Sequence, residues 1–385
     1  MRAARPSGPS LVLYWLSAVG VLALVVEALC LRRLRRRRDP APSRYPACSV
    51  LKPLSGHHEQ LEDDLESHAA LDYPGEWQLL LGVESEADAA APAARAFVAR
   101  HPGRARLLLC EERPGRHPKV NQLIALSRAA EHDLIVCTDG NVRVHPHHLR
   151  DIAAALEQPR VGLVTHLVAG VGERHLGAAF DNQAWLGFVA PNLATAAALG
   201  IDRVVGKSLA IRREVLERMG GWESVKDVLA EDQQLAAKLA GLGLRTHVCP
   251  RPVQNVQVNE RLMHFWERQA RWAMLRYRVV RPGFLLEPLL NPTLLSGLAL
   301  ACSPRSRGAL ALTGAVWGCA LALTQAFAIL VRGQGFRARH LALFPLQQVL
   351  LFLAWARGMT GRSVSWHGRT FALDRQARLV PRGSG

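Results

Sequence analysis

A chain of 385 residues with 49% apolar and 21% charged residues is too apolar for a disordered polymer and long enough for one large domain or two ordinary ones. Its formal charge of +16 rests almost wholly on arginine, because the only lysines are Lys52, Lys119, Lys207, Lys226 and Lys238. The densest basic run (Arg32, Arg33, Arg35, Arg36, Arg37 and Arg38) directly follows an apolar stretch, where it anchors a span at lipid headgroups, so no nucleic-acid partner is expected.

In chain order, residues 1–10 form a short tail. Residues 11–31 then give about 21 positions carrying one charge, Glu27, which suits a hydrocarbon core of about 30 Å at about 1.5 Å rise per residue. The run is too long for the core of a signal peptide, and arginines follow it instead of small cleavage-site residues. Residues 32–44 form a basic juxtamembrane linker that places the next domain on the cytosolic side. Seven cysteines are scattered without a CxxC pair, as expected in a reducing compartment.

From residue 45 to 258 short apolar runs alternate with alanine-rich amphipathic stretches, an α/β pattern with a largely parallel sheet. The spacing predicts strands over 48–52, 77–83, 106–110, 133–138, 162–166 and 204–211. Helices are predicted over 120–130, 146–157, 213–219 and 232–240. Residues 259–283 read as an amphipathic interfacial helix. Residues 284–359 hold three apolar stretches, the first interrupted by Glu287, Pro288, Asn291 and Pro292 in the manner of a re-entrant segment. A tail spans 360–378, and residues 379–385 read Leu-Val-Pro-Arg-Gly-Ser-Gly, the scar of a thrombin cleavage site.

Three constellations carry chemistry. Asp139-Gly140-Asn141 ends the apolar run 134–138, where a carboxylate meets a divalent cation bound to a diphosphate or simply makes a turn. Glu231 and Asp232 open a helix, as caps or as a general base for an attacking hydroxyl. Arg268, Arg271 and Trp272 lie three and four positions apart, on one helix side, where guanidiniums neutralise phosphate and an indole stacks on a sugar or lipid neck.

The order of these motifs, with Val50-Leu51-Lys52-Pro53-Leu54, Pro118-Lys119-Val120-Asn121 and Asp139-Gly140-Asn141-Val142-Arg143-Val144 between membrane segments, resembles the ceramide glucosyltransferase family. The resemblance implies a GT-A nucleotide-sugar domain, a divalent metal (Mg²⁺ or Mn²⁺), and inverting transfer of glucose from UDP-glucose to the primary hydroxyl of ceramide. By position, Asp139 matches the metal-diphosphate aspartate and Asp232 the base, with Glu231 orienting the site. Arg268, Arg271 and Trp272 match the diphosphate and acceptor cluster, and Lys52, Pro53, Lys119 and Asn121 match positions near the uridine. The family's aspartate after the second strand aligns with Ser85, so Glu84 or Glu86 takes over the uridine contact or donor specificity has drifted.

His166, Phe180, Asp181, Trp185 and Trp272 are candidates for the acceptor path, and Lys207 for an approach to the donor. Alternatives within the same chemistry are a hopanoid or diacylglycerol acceptor, or UDP-N-acetylglucosamine or UDP-galactose as donor. A non-catalytic membrane scaffold is the reading outside it.

Overall fold

The structure is a computed structural model describing residues 6–366, 369–374 and 376–380. The chain forms two compact units: a sheet unit of Leu34–Gly172, Ala196–Val258 and the residues from Phe371 on, and a helical unit made of the N-terminal residues to Arg33, Glu173–Thr195 and Asn259–Thr370.

The sheet unit is built on β1 (Cys48–Pro53), β2 (Trp77–Val83), β3 (Ala105–Leu109), β4 (Leu134–Thr138), β5 (Val142–Arg143), β6 (Val161–Gly172), β7 (Ser208–Arg212) and β8 (Arg245–Gln257). Their order across the sheet is β3-β2-β1-β4-β7-β6-β8-β5. The first four run parallel, and β1, β2 and β4 are buried along their whole length. Helices on both faces of such strands explain why they read as unbroken apolar runs instead of alternating ones. The other half is mixed: β7 is antiparallel to β4 and β6, β8 is parallel to β6, and β5 is antiparallel to β8.

The sheet is thus mostly parallel, as expected, with antiparallel pairing confined to β7 and β5, and β5 and β8 go beyond the predicted strands. Pro250 and Pro252 hide β8, because a residue without an N–H cannot donate to a ladder. The chain accommodates them with a bulge: the pairing His166 with Cys249 is followed by Val168 with Val253, which leaves the proline segment outside the ladder.

One core places the chemistry. Leu51, Ile135, Leu209 and Ile211 of the strands pack with Val120, Leu123 and Ile124 of the helix Pro118–Ala129, and with Leu235, Ala236 and Leu239 of the helix Glu231–Gly241. The first residues of both helices therefore sit beside the end of β4 and the start of β7.

Of the basic run, Arg32, Arg33, Arg36 and Arg38 are exposed, as a headgroup anchor requires. Arg35 and Arg37 instead donate to the carbonyls of Pro250 and Val248 in β8, and Arg37 also pairs with Asp39 at 3.1 Å. The carbonyls freed around the proline bulge explain this inward turn.

In the helical unit, Gly8–Arg36 and Arg307–Arg332 are long and apolar enough to cross a membrane. Polar atoms on them are matched between helices: the Tyr14 hydroxyl donates to the Ala309 carbonyl at 2.7 Å and lies 2.8 Å from Thr313 Oγ1, while Ser10 donates to the Ala299 carbonyl at 2.5 Å. Such pairing is what an apolar medium demands of buried hydroxyls. Arg281–Leu290 and Pro292–Ala301 form a pair bent by 54° at Asn291, where the interrupting residues lie. The helix Leu262–Val279 packs on Phe344–Thr360 so closely that a Cβ on Gly358 would lie 2.8 Å from the backbone of Ala273.

Leu379 and Val380, which the sequence pattern assigns to a cleavage scar, pair antiparallel with Leu373 and Ala372. The Leu379 N–H donates to the Asp227 carbonyl at 2.8 Å and its side chain is fully buried, so the fold uses both residues. Residues 381–385 of that assignment lie outside the described residues. Leu379→Ala is expected to lower the unfolding free energy by about 2–5 kcal/mol, as other buried leucines do, measured by chemical denaturation in detergent. A change within about 0.5 kcal/mol would mark Leu379 as an accessory surface residue.

Candidate active site

Asp139 follows β4 directly and is the centre of a cluster of charges. Lys119, the second residue of its helix, brings Nζ to 2.8 Å from Asp139 Oδ1, 3.0 Å from Glu231 Oε1 and 3.0 Å from the Gly206 carbonyl. Lys207, just before β7, reaches Asp139 Oδ2 at 3.0 Å and Asn141 Oδ1 at 2.9 Å. Burial works to raise the Asp139 pKa, but Lys119 and Lys207 outweigh it and hold the carboxyl down to about 2. Asp139 is therefore a fixed anion at every physiological pH.

Below this turn lies Lys52, whose side chain is completely buried. Its ammonium donates to the carbonyls of Asp139 at 2.8 Å and Val142 at 2.9 Å. Burial pushes its pKa down to about 8, against the pull of Asp64 and Asp139. Lys52 thus acts as a positioning residue that fixes the backbone carrying Asp139. Pro53 closes the same buried strand. Asn121 likewise acts on backbone, accepting from the Gly115 N–H at 2.9 Å and donating to its carbonyl at 2.8 Å, so it shapes the loop ahead of its helix.

Glu231 and Asp232 differ sharply although they are neighbours. Glu231 meets Lys119 and, at 3.2 Å, His117 Nε2. Because His117 Nδ1 accepts from the Val120 N–H at 3.2 Å, the imidazole proton is assigned to Nε2, which donates to Glu231. Despite burial, Lys119 and His117 hold Glu231 well below the usual carboxylate range. Among the described residues, Asp232 accepts only backbone N–H groups, from Gly206 at 2.9 Å and Gln233 at 2.8 Å. Burial first, and the Glu231 charge second, push its pKa up to about 7. Two adjacent carboxylates are thus split into a permanent anion and a group that exchanges a proton near neutrality, a hallmark of acid–base sites.

Gly206 makes this possible. A Cβ there would lie 3.3 Å from Asp232 Oδ2 and 3.4 Å from Glu231 Oε1, so any side chain would press on both carboxylates.

The remaining sequence candidates have surroundings of their own. Glu84 lies just past β2 and pairs with Arg113 at 3.4 Å, whereas Glu86 is 69% exposed and paired with Arg95. His166 is 1% exposed, inside the sheet unit beside His148 and Ser208. Asp181, Trp185, Arg268, Arg271 and Trp272 belong to the helical unit. There Asp181 is fully buried and held by Arg268 and, at 3.2 Å, by Gln269 Nε2. Trp185 and Trp272 meet edge to face with centroids 5.1 Å apart. Arg271 forms no ion pair among the described residues, and burial with the neighbouring Arg268 lowers its pKa to about 10.

The sequence reading passed over His117 and weighed Lys207 only as a surface or donor-side lysine. A histidine capping a helix that begins Pro118-Lys119 was the available signal for the first. The Gly206-Lys207 pair before a buried strand was the signal for the second.

The profile of glycosyl transferase family 21 matches residues 12–379. Ceramide glucosyltransferase 1 of Caenorhabditis elegans is 27% identical over 290 residues, 74% of this chain and 61% of that protein. Ceramide glucosyltransferase 3 of the same organism is 26% identical over 264 residues, 68% of this chain and 57% of that one. The chain therefore spans less than two thirds of the length of these relatives. Among solved structures, the mannosyltransferase PcManGT from Pyrobaculum calidifontis, in complex with GDP-Man and Mn²⁺, superposes with a TM-score of 0.53 at 21% identity, covering 91% of this chain and 99% of that one. The fold is the GT-A type with membrane helices that the motifs imply.

Replacing Lys52 by the similarly shaped methionine leaves the Asp139 and Val142 carbonyls without a donor, at a cost of about 1–3 kcal/mol for each. Denaturant unfolding of Lys52→Met should show that loss. A lysine whose job is to touch a ligand would leave stability unchanged.

Proposed function

Because the chain belongs to glycosyl transferase family 21, we propose that it transfers glucose from UDP-glucose to the primary hydroxyl of ceramide with inversion, using Asp232 as the base. The observation that carries the mechanism is Asp232 itself, a carboxylate poised near neutrality, held by the backbone N–H groups of Gly206 and Gln233, and set beside the anchored Asp139 turn. The ceramide glucosyltransferases among its relatives support the choice of acceptor and donor.

A divalent cation fits Asp139 in its chemistry. The carboxylate is a hard oxygen ligand at a strand end, and its Oδ1 is buried without a geometrically formed hydrogen bond even though Lys119 lies 2.8 Å away. Asp139 would hold Mg²⁺ or Mn²⁺, and the metal would supply charge neutralisation for the departing nucleotide.

The chain's own groups do the rest. Asp232 takes the proton from the acceptor hydroxyl as its oxygen bonds to the anomeric carbon. The bond from that carbon to the diphosphate breaks with its electron pair leaving on UDP. The ammoniums of Lys119 and Lys207 lie within reach of the Asp139 site and offset the charge that develops there. Glu231 remains ionised throughout, keeps Lys119 in place and sustains the basicity of Asp232. From motif order alone we assign Arg268 and Arg271 to the diphosphate charge and Trp272 to the acceptor. Arg268 also has Asp181 as an ion-pair partner.

Two helices long and apolar enough to span support an integral membrane protein, and the arginines after the first support a cytosolic catalytic domain. Serine at position 85, with Glu84 just past β2, favours testing a wider donor panel, since the uridine contact is not the family's usual aspartate. UDP release measured over several UDP-sugars and lipids should be greatest with UDP-glucose and ceramide. Equal or faster turnover with a hopanoid or diacylglycerol, or with UDP-galactose, would reassign the substrate.

Asp232→Asn is expected to lower kcat by about 10²–10⁴-fold while UDP binding persists in calorimetry. Near-normal turnover would remove Asp232 from the mechanism. In the wild type, kcat/KM should rise with pH through about 7, because the base works only when deprotonated and its pKa is raised. Asp139 and Glu231, ionised far below that range, add no limb there. A profile flat across neutral pH contradicts the assignment.

A further inference from the structure

Three histidines that the mechanism does not use converge inside the sheet unit. His145 follows β5, His148 is the first residue of the helix His148–Leu156, and His166 lies in β6. One ring nitrogen from each lies within 4.8 Å of the other two. The rings of His148 and His166 are 4.4 Å apart, and His145 lies 5.8 Å and 6.3 Å from them. We propose that His145, His148 and His166 form a site for one divalent transition-metal ion of the zinc type, with a role separate from the cation at Asp139.

Hydrogen bonding at these rings is incomplete. Buried imidazoles in a protein core ordinarily satisfy both nitrogens, since an orphaned polar atom costs about 1–3 kcal/mol. Among the described residues, His145 Nδ1, His148 Nδ1 and His166 Nε2 are buried without a hydrogen-bond partner, and His145 Nε2 has the Asp151 carboxylate at 3.5 Å. One unbonded nitrogen on each of three neighbouring rings is the donor set that a single metal ion takes.

Charge state agrees with this. Burial lowers the pKa of His145 to about 3 and those of His148 and His166 well below the usual value, so each ring is already the neutral ligand form. A zinc ion takes imidazole nitrogen at about 2.0–2.1 Å, so tetrahedral partners stand about 3.4 Å apart. Closing the present spacing to that value asks for side-chain rotations of little more than about 1 Å at each ring.

The surroundings resemble an outer ligand shell. Ser208 Oγ is 3.1 Å from His166 Nδ1 and 3.5 Å from His148 Nε2. Asp151 Oδ2 is 3.5 Å from His145 Nε2, and is the acid that would orient that ring while remaining 3.3 Å from Arg251 Nε. Three imidazoles without a carboxylate in the ligand group select zinc, cobalt or nickel over magnesium or calcium. The His145 side chain is 17% exposed, the ring nearest to solvent of the three.

The test uses the full chain in detergent, purified without a histidine tag, stripped with chelator and titrated with Co²⁺. The expected result is a visible ligand-field absorption of tetrahedral type that saturates at one equivalent and is displaced by Zn²⁺. It should persist in Asp139→Asn and disappear in His145→Gln and in His148→Asn. His145→Gln changes the most exposed of the three, so it reports even if His148→Asn fails to fold. No band in the wild type, a band that survives His145→Gln, or one that vanishes in Asp139→Asn each overturns the proposal.

Discussion

The ion pairs around Asp139 are the constraint on which the rest of the sheet unit depends. A carboxylate at the end of a buried strand is costly unless it is paired, and this one is met by Lys119 from one helix and Lys207 from the approach to the next strand. Lys52 then fixes the turn from beneath through two carbonyls. Three lysines out of the five in the chain are spent on one aspartate and its backbone. The arginine-rich composition makes this selective, because a compact ammonium can donate to several oxygens around one point where a planar guanidinium cannot.

The fold was legible where local pattern and tertiary role coincide. β2 matches its predicted bounds because a continuous apolar run of strand length has few alternatives in an α/β chain. The half of the sheet beyond β4 was harder. β8 carries two prolines and opens with Arg245, Thr246 and His247, which local propensity reads as loop, and only pairing with β6 on both sides of the bulge makes it a strand. The two-residue β5 is too short to give any periodic signal.

For the site, residue type and order located Asp139, Lys119, Glu231 and Asp232, which the fold brings together. Order could not tell a ligand contact from a structural one. Lys52 and His166 are buried, and His117, which no motif includes, holds Glu231. The distinction rests on burial and on which atoms face each other, neither of which a linear motif records. The separation of Glu231 from Asp232 is of the same kind: two adjacent acids differ because only one of them reaches a lysine and a histidine.

Lys119 has a further consequence. One ammonium serves oxygens from three elements: Asp139 after β4, Glu231 on its helix and the Gly206 carbonyl before β7. A polyanion that drew this ammonium toward itself would strip countercharge from both carboxylates in the same motion. The less compensated Glu231 would then tighten the grip of Asp232 on a proton. By linkage, whatever engages Lys119 alters the base strength of Asp232, and the ionisation of Asp232 feeds back equally on that engagement. A single side chain thereby acts as an interlock between the arrival of negative charge and the readiness of the base.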